Sequence, residues 1–240
     1  MEKRFLKIFN NESEYDVQKE EAMGKPHVVL LKDTKEVIYE PSTTYEMVDL
    51  GLPSGIQWAK LNVGATKESD SGLFFQWGDT EGYTSDQCGN GEGLKAFSWS
   101  DYKWCNGSST SLTKYNSTDG KTVLDLEDDG CHVHMGGDWR LPTGTNMEEL
   151  IANTNYEYAT IDGIEGGKFT NKSDSSKYIF LPDAYCHDGS FVLGTGTLSW
   201  SSSLSESFPS TAHSLTSKND TPDVNNSERF YGLPLRGVVG

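Results

Sequence analysis

The residues best suited to chemistry fall in one short stretch. It runs Asp125-Leu126-Glu127-Asp128-Asp129 and continues as Gly130-Cys131-His132-Val133-His134. Calcium takes several hard oxygen donors, often from clustered carboxylates, so Asp125, Glu127, Asp128 and Asp129 form a candidate Ca²⁺ site. The spacing is not that of an EF-hand loop. The competing reading is a helix end whose acids pair with Arg140 or cap backbone N–H groups. His132-x-His134 would place two imidazoles on one face of a strand. Catalytic zinc needs a third protein ligand, and Cys131 is the near candidate. His187 beside Asp188 is an isolated pair that reads as surface loop.

Signals for covalent catalysis are weak. Ser201-Ser202-Ser203 follows Trp200 but lacks the flanking glycines of a nucleophile elbow. The sequence contains no GxSxG, HExxH, P-loop or dinucleotide-binding fingerprint. Cys88, Cys105, Cys131 and Cys186 form no CxxC pair, so they read as free thiols, with two disulfides as the alternative. The expectation is a protein that is not an enzyme and that needs no cofactor beyond the Ca²⁺ its acids could hold.

The bulk composition narrows the partners. The 240 residues carry a formal net charge of −16, which disfavours a phosphate backbone and an anionic lipid surface. Neither nucleic acid nor membrane insertion is expected, and no apolar run reaches the ~20 residues of a membrane helix. The start, Met-Glu-Lys-Arg-Phe-Leu-Lys, lacks the apolar run of a signal peptide, so synthesis in the cytoplasm without ordinary secretion is expected. Apolar residues make up 35% of the chain and aromatic ones 11%; large aromatic side chains must therefore carry much of the core.

Two regions differ in texture. Residues 1–44 offer a short alternating strand at Arg4–Phe9, a polar helix over Glu12–Ala22, and a hairpin of Pro26–Leu31 with Val37–Tyr39, closed by Pro41 and a Ser42-Thr43-Thr44 linker. Such a segment is too small for a robust core of its own and becomes stable by docking on a partner or on its own copies. From residue 45 to 240, short apolar runs alternate with Gly-rich turns. Strands are expected at Glu46–Leu50, Ile56–Asn62, Leu73–Trp77, Tyr178–Leu181, Leu198–Ser202 and Tyr231–Val239. Helices are expected at Leu112–Leu126, shortened by Asp119-Gly120, and at Thr145–Asn153. Residues 83–120 and 203–228 read as long irregular loops. Their aromatic and small polar side chains suit a recognition surface.

Several segments carry a resemblance. They are Val48-Asp49-Leu50-Gly51-Leu52-Pro53-Ser54-Gly55-Ile56-Gln57-Trp58-Ala59, Asn62–Ala65, Phe75–Thr80, Tyr102–Gly107, Leu124–Asp129, Gly136-Gly137-Asp138-Trp139-Arg140-Leu141-Pro142-Thr143, Ile179–Pro182, Trp200–Ser203 and Tyr231–Arg236. In order and over roughly 190 residues, they resemble the Fibrobacter succinogenes major paralogous domain. That family is similar to C-type-lectin-like and sulfatase-modifying-factor folds. Where the family ending usually has Pro after the Arg, Gly237 stands here. Cys105, Cys131 and Cys186 match no sulfatase-modifying motif, so that activity is not carried over. Phe5–Phe9, Val28–Thr34 and Glu36–Tyr39 resemble the leader segments of structural proteins of crAss-like Bacteroides phages.

The resemblance implies an α+β chain. A loop-rich C-type-lectin-like domain with short antiparallel strands and about two helices follows a small β-rich attachment segment. The fold implies paired first and last strands, which would bring the ends of residues 45–240 together. It implies a virion surface protein, a head fibre or capsid decoration assembled in the host cytoplasm. Residues 1–44 would bind capsid or other head-fibre proteins. The outer domain would bind host-surface or mucus glycans, and the whole would be a homo-oligomer, a trimer before a dimer. The alternative is a bacterial cell-surface or secreted carbohydrate- or protein-binding module.

Overall fold

The structure is a computed structural model that describes strands 5–9, 27–31 and 37–40 and residues 45–194, 196–217 and 221–240. The chain divides into two compact units, Met1–Tyr45 and Glu46–Gly240. In the first, β1 (Phe5–Phe9), β2 (His27–Leu31) and β3 (Val37–Glu40) form one sheet in that order. β2 and β3 pair antiparallel, with Val29 opposite Ile38, as the apolar runs on either side of the Asp33–Glu36 turn lead one to expect. β1 lies parallel to β2, with Lys7 opposite Val29. The helix expected at Glu12–Ala22 and the 42–44 linker lie outside the described residues.

The second unit begins with β4 (Met47–Val48), β5 (Gln57–Ala59) and β6 (Phe74–Phe75). Two helices follow, α1 (Gly130–Met135) and α2 (Gly144–Asn153), and then β7 (Thr154–Ile161), β8 (Ile164–Asn171) and β9 (Tyr178–Pro182). The remaining strands are β10 (Ala184–His187), β11 (Ser190–Leu193), β12 (Thr197–Leu204), β13 (Thr211–Thr216), β14 (Asp223–Glu228), β15 (Leu233–Pro234) and β16 (Val238–Val239). They form the sheets β4-β5-β16, β6-β15, β7-β8-β9, β10-β11 and β12-β13-β14. Every strand pair among them is antiparallel. This is an α+β unit of small antiparallel sheets. β5 stands between β4 and β16, with Trp58 opposite both Val48 and Val238.

Local chemistry accounts for several elements. A two-residue hairpin of the type I′ class needs positive φ at both central residues, which Asp-Gly supplies. Asp162-Gly163 has φ of 51° and 81° and joins β7 to β8; Asp188-Gly189 has φ of 45° and 73° and joins β10 to β11. A capping box starts α2: Asn146 N donates to Thr143 Oγ1 at 3.2 Å, and Thr143 N donates to Asn146 Oδ1 at 3.1 Å.

Two expectations fail here. Leu112–Leu126 is not helical but a run of turns with isolated bridges. Asp119 accepts hydrogen bonds from the backbone N–H groups of Tyr115 at 2.6 Å and Asn116 at 3.0 Å; this is the side-chain competition that keeps such residues out of helices. Residues 203–228 are not one irregular loop. β13 and β14 lie within them, paired from Thr211 opposite Glu228 to Thr216 opposite Asp223. Their polar sequences hid them, because only part of each strand faces the core.

The core is aromatic, and Trp58, Trp77 and Trp200 are fully buried. Trp77 Nε1 donates to Ser201 O and Trp200 Nε1 to Phe75 O, each at 2.9 Å. Trp58 joins Val48, Leu50, Met147, Leu150, Phe169, Leu181, Leu215 and Val238 in one cluster, which packs α2 against strands from both ends of the unit.

Two arginines are buried with it. Arg236 donates to Asn62 Oδ1 (2.8 Å) and to the carbonyls of Ala59 (3.0 Å), Lys60 (2.7 Å) and Phe180 (2.7 Å). Arg229 donates to Tyr102 Oη (2.9 Å) and to the carbonyls of Lys114 (3.0 Å), Tyr115 (3.1 Å) and Pro209 (3.0 Å). It also lies over the Trp77 ring, 4.9 Å from the centroid. Burial pulls the Arg236 pKa downward, and its four acceptors oppose this by favouring the charged form. Removing the donor strands several buried carbonyls at once. Arg236→Leu is therefore expected to cost about 3–5 kcal/mol, read as a lower urea midpoint at unchanged slope. A loss below about 1 kcal/mol would mean that water or rearranged backbone satisfies those carbonyls.

Candidate functional site

The acidic stretch is built around a lysine. Lys114 Nζ bonds Asp128 Oδ2, lies 3.1 Å from Asp125 Oδ2 and 3.9 Å from Glu127 Oε1. Tyr115 Oη donates to Asp128 Oδ2 at 2.6 Å and accepts from Asp125 N at 3.0 Å. Lys121 adds a second ammonium on Asp125, and Lys103 Nζ stands 3.9 Å from Asp128 Oδ1. Burial works against the Lys114 charge, but hydrogen bonds to Asp128 and Asp125 outweigh it and hold its pKa above the ordinary lysine value. Three of the four proposed calcium ligands thus already face a fixed cation.

Asp129, the fourth, turns the other way. Its Oδ1 caps α1 by accepting from Cys131 N (2.9 Å) and His132 N (3.1 Å), and its Oδ2 accepts from Leu141 N (2.8 Å). Burial raises its pKa, although three N–H donors favour the charged form. This carboxylate fastens α1 to the Trp139-Arg140-Leu141-Pro142 segment. Arg140 touches none of these acids; its Nη1 donates to Leu141 O and Asn146 Oδ1, each at 3.1 Å.

No cluster of three or more His, Cys, Asp or Glu side chains able to hold a metal occurs among the described residues. The set Asp125, Glu127, Asp128 and Asp129 does not fit calcium, because a lysine ammonium takes the place the ion would need. His132-x-His134 also departs from expectation. Both lie in α1, two positions and so roughly 200° apart around the helix. His132 Nδ1 is 3.2 Å from Trp139 O, and His134 Nε2 is 2.8 Å from Thr80 O. Cys131 is fully buried, and burial pushes its thiol well above the usual range.

The other thiols are separate. Cys186 is buried, and Cys88 packs against its cluster; burial pushes the Cys186 thiol up. Cys105 Sγ donates to Trp99 O at 3.1 Å. On the outer face of β10, Tyr185 stacks on His187 with centroids 5.3 Å apart and 13° between the rings. Tyr231 lies 5.8 Å from Tyr185.

A concavity with uncommitted polar groups lies elsewhere. It is a groove of about 450 Å³ between the β12–β13 loop, the start of α2 and the 122–123 segment. Phe208, 60% exposed, forms one wall, and His213 and Asn226, cross-strand neighbours on β13 and β14, form the floor. Thr122, Thr145 and Glu206 complete the rim. No hydrogen bond engages the side chains of Thr122, Thr145, Glu206, His213 or Asn226 among the described residues. Sequence reading placed Phe208 and His213 in an undifferentiated loop. The pairing that sets His213 beside Asn226 spans residues no local pattern connects.

A scan of protein-family models, a search of curated proteins and a search of solved structures each return no match. The site must be read from its own chemistry.

Two outcomes follow. Adding Ca²⁺ or EDTA is expected to leave the melting temperature unchanged, while Lys114→Met lowers stability by about 2–3 kcal/mol, between the values of exposed and buried pairs. A calcium-dependent rise in the wild type would overturn the lysine-centred account. The second concerns Glu228, whose Oε2 is buried without a partner and whose pKa burial raises above the ordinary 4.5. The folded chain then holds this proton more tightly than the unfolded one, so stability falls as pH rises from 4.5 through the raised value. Glu228→Gln should raise the melting temperature at neutral pH and lose that advantage below pH 4.5. An equal gain at both pH values would place the effect outside ionisation.

Proposed function

We propose that the chain is a virion surface protein, a head fibre or capsid decoration, whose Glu46–Gly240 unit is a C-type-lectin-like display domain and not an enzyme. Residues 1–44 attach it to capsid or to other fibre proteins and join its copies, with a trimer as the assembly. The outward domain binds glycans of the host surface or of mucus.

The observation that carries this reading is the β4-β5-β16 sheet. One strand holds both the entry and the exit of the unit, and Gly240 lies against Ile56. A domain whose ends meet can sit on an attachment segment with its other faces free. The groove and the stacked rings of β10 lie on strands outside that sheet. Catalysis has little support in the same geometry. The buried side chains of Asp128, Asp129, Arg229 and Arg236 serve backbone atoms, a tyrosine or lysines, and buried Asp183, which lines a smaller groove, accepts from Tyr158 Oη at 2.8 Å and from Gly196 N.

Mass spectrometry of purified particles should find the chain among their structural proteins, and its absence from particles would overturn the proposal. Light scattering of the full chain should give a trimer, and deletion of residues 1–44 should give a monomer. A monomeric full chain would remove the assembly role of that segment.

A further inference from the structure

We infer that the groove walled by Phe208 and floored by His213 and Asn226 is a binding site for a neutral saccharide. This inference rests on the reading of the domain as a glycan-binding display module, and it gives that reading a location and a ligand chemistry.

A sugar ring presents two kinds of surface. Its faces carry C–H groups that pack on an aromatic ring, and its rim carries hydroxyls that both donate and accept. The groove offers the complement of each. Phe208 exposes an apolar ring to solvent, a placement that becomes favourable only when something covers it. Around it, imidazole, amide, hydroxyl and carboxylate groups converge without hydrogen-bond partners among the described residues. Three other polar side chains show the contrast, because the local backbone consumes them. Asp101 accepts from the backbone N–H groups of Ala96, Phe97 and Ser98, Asn171 from those of Ser173 and Asp174, and Asn116 from those of Thr118 and Asp119. In the groove, five such side chains stand together without a hydrogen-bond partner among the described residues.

The walls are preorganised, which reduces the entropy lost on binding. Phe208 N donates to Ser205 Oγ at 3.3 Å, and Phe208 O accepts from Thr211 N at 2.8 Å and Thr211 Oγ1 at 2.9 Å. The next carbonyl, Pro209 O, is held by buried Arg229. His213 packs against Gly144, where an added Cβ would stand 2.7 Å from the ring Nδ1. Gly144 N in turn donates to Ser203 Oγ at 3.1 Å, tying α2 to β12. The volume, about 450 Å³, lies within the usual range of small-ligand sites, about 300–1,000 Å³.

Charge selects among sugars. Glu206 sits on the rim of a chain whose net charge is −16, so sialylated or sulfated glycans are repelled and neutral ones are not. Recognition here needs no calcium, because every group named is an organic donor, acceptor or ring.

The test is saturation-transfer NMR on the full chain with a panel of neutral trisaccharides of glucose, galactose, mannose and N-acetylglucosamine. At least one should receive saturation at its ring C–H protons, equally with Ca²⁺ or with EDTA. Phe208→Ala and His213→Ala should each weaken that binding about tenfold or more. Both variants keep the wild-type melting profile if they fold, and exposed Phe208 makes its variant the safer one. Retained affinity in both variants would overturn the inference. So would loss in Tyr231→Ala with retention in Phe208→Ala, which would move binding to the rings of β10. Failure of every saccharide to bind the wild type would also overturn it, while leaving the virion assignment to the mass-spectrometric result.

Discussion

A fold made largely of turns has one recurrent problem: its backbone carbonyls lie away from any ladder, and many are out of reach of water. Two buried guanidinium groups meet that constraint in this protein. Arg229 and Arg236 each collect three backbone carbonyls from separate parts of the chain. A planar fork with five donors can do this where a lysine could satisfy fewer acceptors. Arg236 ties β5 and the residue after it to β9, and Arg229 ties the 114–115 turn to the β12–β13 loop. The loops are therefore parts of the core's hydrogen bonding rather than ornaments on it.

The same logic governs the acids. A chain of net charge −16 must place carboxylates near one another, and repulsion would loosen the structure wherever they meet unpaired. Lys114 sits where Asp125, Glu127 and Asp128 converge, and Asp129 is turned inward to cap α1 and hold Leu141. A stretch that looks like a cation site in one dimension is a junction in three. It links the 114–121 turns to α1, and so braces the region next to the groove's 122–123 edge.

The groove depends on these braces. Phe208 has little packing of its own, being largely exposed, yet the backbone that carries it is held at Ser205, Thr211 and Arg229. The floor residues belong to a sheet whose inner face packs through Leu215 on the main cluster.

Much of this was legible in the sequence by itself. β2, β3, β9 and α2 follow from apolar runs, turns and a helix start, because the forces that set them act over a few residues. The antiparallel α+β character is what the family resemblance implied, and the composition by itself pointed only to much loop and few long helices. Asp162-Gly163 and Asp188-Gly189 were equally legible as hairpin turns, and reading them would have located β7, β8, β10 and β11. Other features needed the tertiary structure. β13 and β14 are polar, and only their pairing with each other and with β12 makes them strands. Arg229 and Arg236 look like any other arginines until the carbonyls around them are known. The fate of the acids turned on Lys114, a residue outside their run whose ammonium reaches them only through the folded 114–121 turns. Pairing of His213 with Asn226 is likewise set by a register that no local pattern encodes. Local preferences determined where chain segments turn and extend; long-range packing decided which polar groups were consumed by the fold and which were left without a partner among the described residues.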